Sequence, residues 1–195
     1  MFDKLLKLRE EAKIVGEPIL RDKSFDLLMQ IVKDNKPKRI LEVGVNVGLS
    51  SIGMLLTYEK STLSGIEINE IKVKEAKENY IKFGVDERAN IFIGDASEII
   101  PQLTGNYDLI FLDGPKGHYY EYLPYLLNVL NVGGILFADN VLFRGYVSGV
   151  VKTPHRHATI KNSMERFLAE ISNSENLSTE ILDLEDGVSI TKKIK

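Results

Sequence analysis

The sequence predicts an α/β fold: a doubly wound, seven-stranded sheet, mostly parallel with an antiparallel last strand, carrying helices on both faces. Three observations predict it. Short apolar runs alternate with helical stripes five times between residues 39 and 138, which implies right-handed crossovers and a parallel sheet buried on both sides. After residue 139 the rhythm changes, and Asp186-Gly187, a hairpin signal, separates two late strands. No repeat, low-complexity tract or Pro/Gly-rich linker interrupts the 195 residues. A single domain over 1–195 is therefore expected, with helices in 1–36 packing on its core.

Each element has its own local reason. Two helices, near Asp3–Lys13 and Asp22–Asn35, precede the first strand, Arg39–Val43, a short apolar run that ends at glycine. Ser50–Tyr58 is helical in pattern, and Thr62–Ile68 is a strand. Val73, Ala76, Tyr80 and Phe83 then recur at the spacing of one helical face. Asn90–Ile93 is a strand, Ala96–Leu103 a short helix, and Tyr107–Leu112 the fourth strand. Tyr120, Leu123, Leu127 and Leu130 predict another helical stripe, and Ile135–Ala138 the fifth strand. A last helix carries Met164, Phe167, Leu168 and Ile171, ahead of strands near Ser178–Leu182 and Val188–Lys192.

Composition narrows the class. Hydrophobic content of 44% and charged content of 27% are ordinary for a globular protein. The absence of cysteine excludes disulfides and thiolate metal sites, and suits a reducing cytoplasm. No apolar run approaches the length that spans a bilayer, and MFDKLLKLREEAK is too charged for a secretory segment. A net charge of −3 argues against a wholesale nucleic-acid binder, although it averages over the chain.

In open α/β sheets, ligands sit at the carboxyl ends of the strands, so the strand ends carry the functional argument. Strand one ends in EVGVNVGLS, where Gly44 and Gly48 permit a tight turn and close approach of a ligand. The G-x-x-x-G spacing matches neither the dinucleotide fingerprint nor the triphosphate loop, and alone it also describes a plain turn before a helix. Strand two ends in GIEI, with Glu67 placed 19 residues after Gly48 to accept ribose hydroxyls. A helix-capping acid is the plainer reading, but Asn69 suits that task better. Strand three ends in Gly94-Asp95-Ala96, where Asp95 either caps the next helix or accepts from an adenine amino group.

Strand four ends in LDGPK and strand five in ADN. If these strands are neighbours about 4.8 Å apart, Asp113 and Asp139 leave adjacent tips with Asn140 beside them. Two carboxylates that close repel unless a positive charge lies between them. An all-oxygen set of Asp113, Asp139 and Asn140 suits a hard cation such as Mg²⁺ rather than zinc. The plainer alternative is a turn at Asp113-Gly114 and a loop cap at Asp139-Asn140. Lys116 follows Asp113 by three residues as a candidate base; alone, it reads as a solvated lysine.

EVGVNVGLS, GIEIN, GDA, LDGPK and ADN, in this order, resemble the class I S-adenosylmethionine-dependent methyltransferases. The set is most similar to the metal-dependent O-methyltransferases related to catechol and caffeoyl-CoA methyltransferases, over about residues 14–192. The resemblance implies a Rossmann-like fold and a cofactor, S-adenosylmethionine. Gly44, Gly48 and Ser50 would border its methionine end. Glu67 would hold the ribose, and Asp95 and Ala96 the adenine. Pro18-Ile19-Leu20 would lie across the cofactor, and Asp113 would approach its methyl-donor end. It also implies Asp113, Asp139 and Asn140 as metal ligands, catalytic roles for Lys116 and Asp113, and a homodimer in which Phe2, Leu5 and Leu6 take part unless that helix folds onto its own sheet.

The acceptor is less legible. Between Asn140 and Met164 there is no acid, but Arg144, Lys152, Arg156 and Lys161 stand there with His155 and His157. Such a segment suggests an anionic partner; the bland alternative is a solvated loop. DNVLFRGYV followed by PHRHATIK resembles the bacterial tRNA 5-hydroxyuridine methyltransferases. That implies a tRNA anticodon loop as partner, with Arg144, Lys152 and Arg156 on phosphates and His118, Tyr119 and Tyr120 either framing the base or simply packing. Two alternatives stand beside it: a small-molecule catechol-type O-methyltransferase, and a cofactor-binding module without catalysis.

Overall fold

The computed structural model describes residues 1–195 and divides into two compact units, Met1–Ala96 and Ser97–Lys195. Its seven strands form a mixed sheet, as expected.

In the N-terminal unit, α1 (Phe2–Ile14) and α2 (Asp22–Asn35) precede β1 (Arg39–Val43). The rest is α3 (Leu49–Thr57), β2 (Thr62–Glu67), α4 (Glu70–Phe83) and β3 (Ala89–Ile93). The strand order is β3-β2-β1, with parallel pairing throughout. The helical stripe of α4 is as read: Val73, Ala76, Tyr80 and Phe83 are all buried. Its start is fixed by Asn69, whose side chain accepts from the amides of Ile71 and Lys72. Both α1 and α2 pack on α3. Leu5 is fully buried and Phe2 meets the ring of Phe25, so α1 folds onto its own unit, while Leu6 stays exposed.

In the C-terminal unit, the short α5 (Ala96–Ile99) leads into β4 (Tyr107–Leu112), α6 (Tyr119–Val129), β5 (Leu130–Asp139), α7 (Ala158–Asn173), β6 (Leu177–Leu182) and β7 (Val188–Lys193). The strand order is β4-β5-β7-β6. β4 and β5 pair in parallel, and β7 is antiparallel to both of its neighbours.

Two expectations shift here. The buried face of α6 is Tyr119, Tyr122, Leu123, Leu126 and Val129, not the stripe through Tyr120 and Leu127. Leucines are so dense between 123 and 130 that either register shows an apolar face in sequence. β5 begins at Leu130, directly after the helix, and is interrupted by a bulge at Gly133 (φ +83°), across which the pairing jumps from Tyr107–Leu130 to Leu109–Ile135.

Candidate functional site

The strand ends of the N-terminal unit converge on the loop Gly44–Gly48. Gly44, Asn46 and Gly48 all have positive φ (94°, 51° and 80°), the left-handed region that glycine adopts freely and asparagine tolerates. Gly48 has a second constraint: a Cβ there would lie 2.6 Å from Cε1 of Tyr80. The loop is held at nearly every peptide. The amide of Gly44 donates to Ile66 O (3.0 Å), the amide of Asn46 to Glu67 Oε2 (2.8 Å), and Asn79 Nδ2 to Val47 O (2.9 Å). Asn46 Nδ2 reaches Pro18 O at 2.7 Å, which ties the Pro18–Leu20 segment to the glycine loop.

Glu67 ends β2 half-buried. Its Oε1 accepts from the amide of Asn69 (2.9 Å) while Oε2 takes that of Asn46. A carboxylate has about four acceptor positions, so this one retains capacity for two hydroxyl donors, and its chemistry fits a ribose. Ser50 is buried near the start of α3. Beside it, Tyr80 donates to Ser51 Oγ (2.7 Å), and Ser51 donates to the buried carboxylate of Glu42. Burial and the charge of Glu42 push the Tyr80 hydroxyl far above its ordinary range, so it remains a donor. Asp95 is exposed and Ala96 buried at the end of β3. Leu20 is placed differently from Pro18: its side chain is in the core, and its carbonyl accepts from Arg9 Nη2 at 2.7 Å. What the segment offers to a ligand is therefore Pro18 and Ile19.

The C-terminal unit brings the acid pair together. Leu112 pairs with Ala138 in the β4–β5 ladder, so the next residues, Asp113 and Asp139, leave neighbouring strand ends side by side. Lys116 Nζ lies 3.3 Å from Asp113 Oδ1, and both side chains are about a quarter exposed, at 27% and 23%. Burial pushes the Asp113 carboxyl above its ordinary value, and Lys116 pulls the other way. Asp139 is 3% exposed. Asn140 follows with φ +57°, a turn that asparagine accepts. Two carboxylates and one ammonium leave a negative balance in a poorly solvated place. With the adjacent amide, that donor set fits a hard divalent cation.

Tyr119 was read only as a residue that frames a base or packs. It is fully buried, and its hydroxyl donates to two carbonyls, Leu112 O (3.0 Å) and Asp139 O (3.3 Å). His118 lies outside the acid pair, bonded through Nδ1 to Glu121 (2.7 Å) and stacked on Tyr122. Tyr120 carries the guanidinium of Arg166 on its ring.

Past Asn140 the chain is zipped to the turn between β6 and β7. Val141 N donates to Gly187 O, Leu142 N to Asp186 O, and Arg144 N to the Asp186 carboxylate. Arg144, Lys152 and Arg156 are exposed and enter no ion pair, whereas Lys161 is paired with Glu165. His157 stacks on Tyr146 and meets the edge of Phe143; His155 is exposed. Sequence reasoning passed over Asn46, and read Tyr119 and Asp186 without the contacts they make here. Asparagine between two glycines signals a left-handed residue, but no pattern marks the other two.

The chain also resembles known proteins. A family profile described as "O-methyltransferase" matches residues 7–194. A catechol O-methyltransferase from Niastella koreensis is 31% identical over 155 residues, covering 74% of this chain and 69% of that protein. A probable caffeoyl-CoA O-methyltransferase from Dictyostelium discoideum is 27% identical over 177 residues, covering 87% of this chain and 74% of that protein. The crystal structure of a putative caffeoyl-CoA O-methyltransferase from Staphylococcus aureus superposes with a TM-score of 0.86 at 28% identity, covering 97% of this chain and 91% of that one. With the profile spanning nearly the whole chain, the protein belongs to the O-methyltransferase family and is a methyl-transferring enzyme.

Proposed function

We propose that the enzyme moves a methyl group from S-adenosylmethionine to a hydroxyl oxygen that has a second oxygen beside it, with 5-hydroxyuridine at the wobble position of tRNA as the acceptor. The observation that carries the chemistry is the register of β4 and β5, which sets Asp113 beside Asp139 with Lys116 on Asp113. S-adenosylmethionine supplies an activated methyl group when bound, and a hard divalent cation supplies positive charge for the acceptor oxygens. The residues that hold the cofactor are Gly44, Gly48, Ser50, Glu67, Asp95 and Ala96, with Asp113 toward its reactive end. Asp113, Asp139 and Asn140 hold the cation. Lys116 Nζ, an ammonium while paired with Asp113, would first give a proton to solvent and, as the amine, would take the proton of the attacking hydroxyl, which the strand ends would orient. Alignment and charge stabilisation account for most of the acceleration.

The acid-free stretch from Asn140 to Met164 supports tRNA, because Arg144, Lys152 and Arg156 stand exposed and their side chains enter no ion pair, although the Asp186 carboxylate sits on the Arg144 amide. An anticodon base is single-stranded and can be splayed into a pocket. A second reading, a small catechol-type acceptor, is supported by the similarity to a protein named catechol O-methyltransferase. A methyl-transfer assay with Mg²⁺ separates them, comparing total tRNA from a strain lacking the gene, intact or nuclease-digested, with simple catechols. The expected result is transfer to intact tRNA that weakens steeply with salt. Transfer to catechols alone would reject the tRNA acceptor.

A further inference from the structure

We propose that Tyr119 is a positioning residue for the divalent cation: its one hydroxyl staples the ends of β4 and β5 and so sets the separation of Asp113 and Asp139. The inference rests on the metal reading above and extends it to a residue outside the ligand set. Four observations carry it. The hydroxyl donates to the carbonyl of Leu112, the last residue of β4, and to that of Asp139, the last residue of β5. These carbonyls adjoin or belong to the two acids. Below this point the strands are held by their ladder, whose last pair is Leu112 with Ala138. Beyond it the β4–β5 pairing ends, at Gly114-Pro115 on one side and the left-handed Asn140 on the other, so the tyrosine bridges the strands where the ladder stops. Finally, Tyr119 is itself fixed, fully buried with its ring edge-on to Phe167 at 5.6 Å between centroids.

Two carboxylates on adjacent strand ends repel each other and tend to splay the ends apart. A donor shared between the two backbones opposes that motion without itself taking up any acceptor position of either carboxylate. Groups that orient ligands typically change metal affinity about 10–100-fold when removed.

The test uses Mn²⁺ as the probe, with the free ion counted by its paramagnetic resonance signal, on the full chain without cofactor or acceptor. Tyr119→Phe keeps the ring against Phe167 and loses only the hydroxyl. Thr179→Val is the control, since it removes a part-buried hydroxyl that donates to Ile171 O (2.6 Å) at a place unrelated to the acids. Both variants are expected to melt at lower temperature than the parent. Only Tyr119→Phe is expected to bind Mn²⁺ more weakly, by about tenfold, while Thr179→Val binds as the parent does. Equal Mn²⁺ affinity in the parent and Tyr119→Phe overturns the positioning role and leaves the metal reading intact. Equal weakening in both variants also overturns it, because the effect would then follow stability alone. A parent that takes up no Mn²⁺ removes the metal reading, and the staple's role goes with it.

Discussion

The two groups of strand ends solve opposite problems. In the N-terminal unit the acid is answered by the protein itself: both oxygens of Glu67 accept backbone amides, one from the glycine loop and one from the start of α4. In the C-terminal unit Lys116 pairs with Asp113, and the carbonyls of Leu112 and Asp139 accept from Tyr119. The first arrangement is complete and rigid, a surface waiting for neutral hydroxyl donors. The second keeps a net negative balance, which under the proposed chemistry an added cation would answer. The comparison teaches that the partners of a strand-end acid, more than its identity, set what it can still accept.

The sharpest way to break that contrast is Asp139→Ala. Under the proposed chemistry the variant loses turnover by at least about 10²–10³-fold, the scale of removing one charge-stabilising group from a reaction centre. Its affinity for S-adenosylhomocysteine, measured by calorimetry, should stay at the parental value, because the cofactor residues belong chiefly to the other unit. Its backbone carbonyl, and hence the bond to Tyr119, is unaffected by the substitution. Wild-type turnover by the variant in the presence of a chelator would refute the metal assignment outright.

Glu67→Ala should give the reverse pattern. Two amides lose their acceptor, at a cost of about 1 kcal/mol in stability because both are partly solvated. The larger effect is on the cofactor, whose analogue S-adenosylhomocysteine is expected to bind about 10–100-fold more weakly for want of charge-assisted hydrogen bonds. Mn²⁺ uptake should not change. If S-adenosylhomocysteine binds Glu67→Ala as tightly as the parent, Glu67 serves only to fasten the loop.

How far these sites can be read from sequence follows from the same contrast. Strand ends are legible because an apolar run that stops at Gly, Asp or Asn has few other meanings, and β1, β4 and the β6–β7 hairpin fall where that rule puts them. The acids were legible for the same reason. Partnership was not. Nothing in LDGPKGHYY distinguishes Tyr119 from Tyr120, yet one is the fully buried staple and the other a half-exposed platform for Arg166. Leucines at 123, 126, 127 and 130 leave the register of α6 open until the helix is docked. Asp186 read as a turn residue, and its grip on the amide of Arg144, 42 residues earlier, is a purely tertiary fact.

The smallest expected effect concerns the support of the Pro18–Leu20 segment. Arg9 is buried on the ring of Phe25, 3.8 Å from its centroid, and burial lowers its pKa against the pull of Asp22. Asp22 bonds both Arg9 (3.2 Å) and Lys13 (2.6 Å), and the bond from Lys13 first, then that from Arg9, holds its carboxyl below the ordinary value. A carboxyl depressed in the folded state contributes stability above its unfolded pKa, and that contribution is lost as pH falls through the folded value. Asp22 is 60% exposed, so solvent screens the effect to a few tenths of a kcal/mol. Asp22→Asn should therefore melt slightly below the parent at neutral pH, with the difference beginning to close below about pH 4, the unfolded value, and vanishing only as pH falls through the lower folded value. Melting curves between pH 3 and pH 7 read this directly. A gap that persists undiminished at low pH would show that Asp22 acts through packing, and that the Arg9 cluster holds the segment without help from its charge.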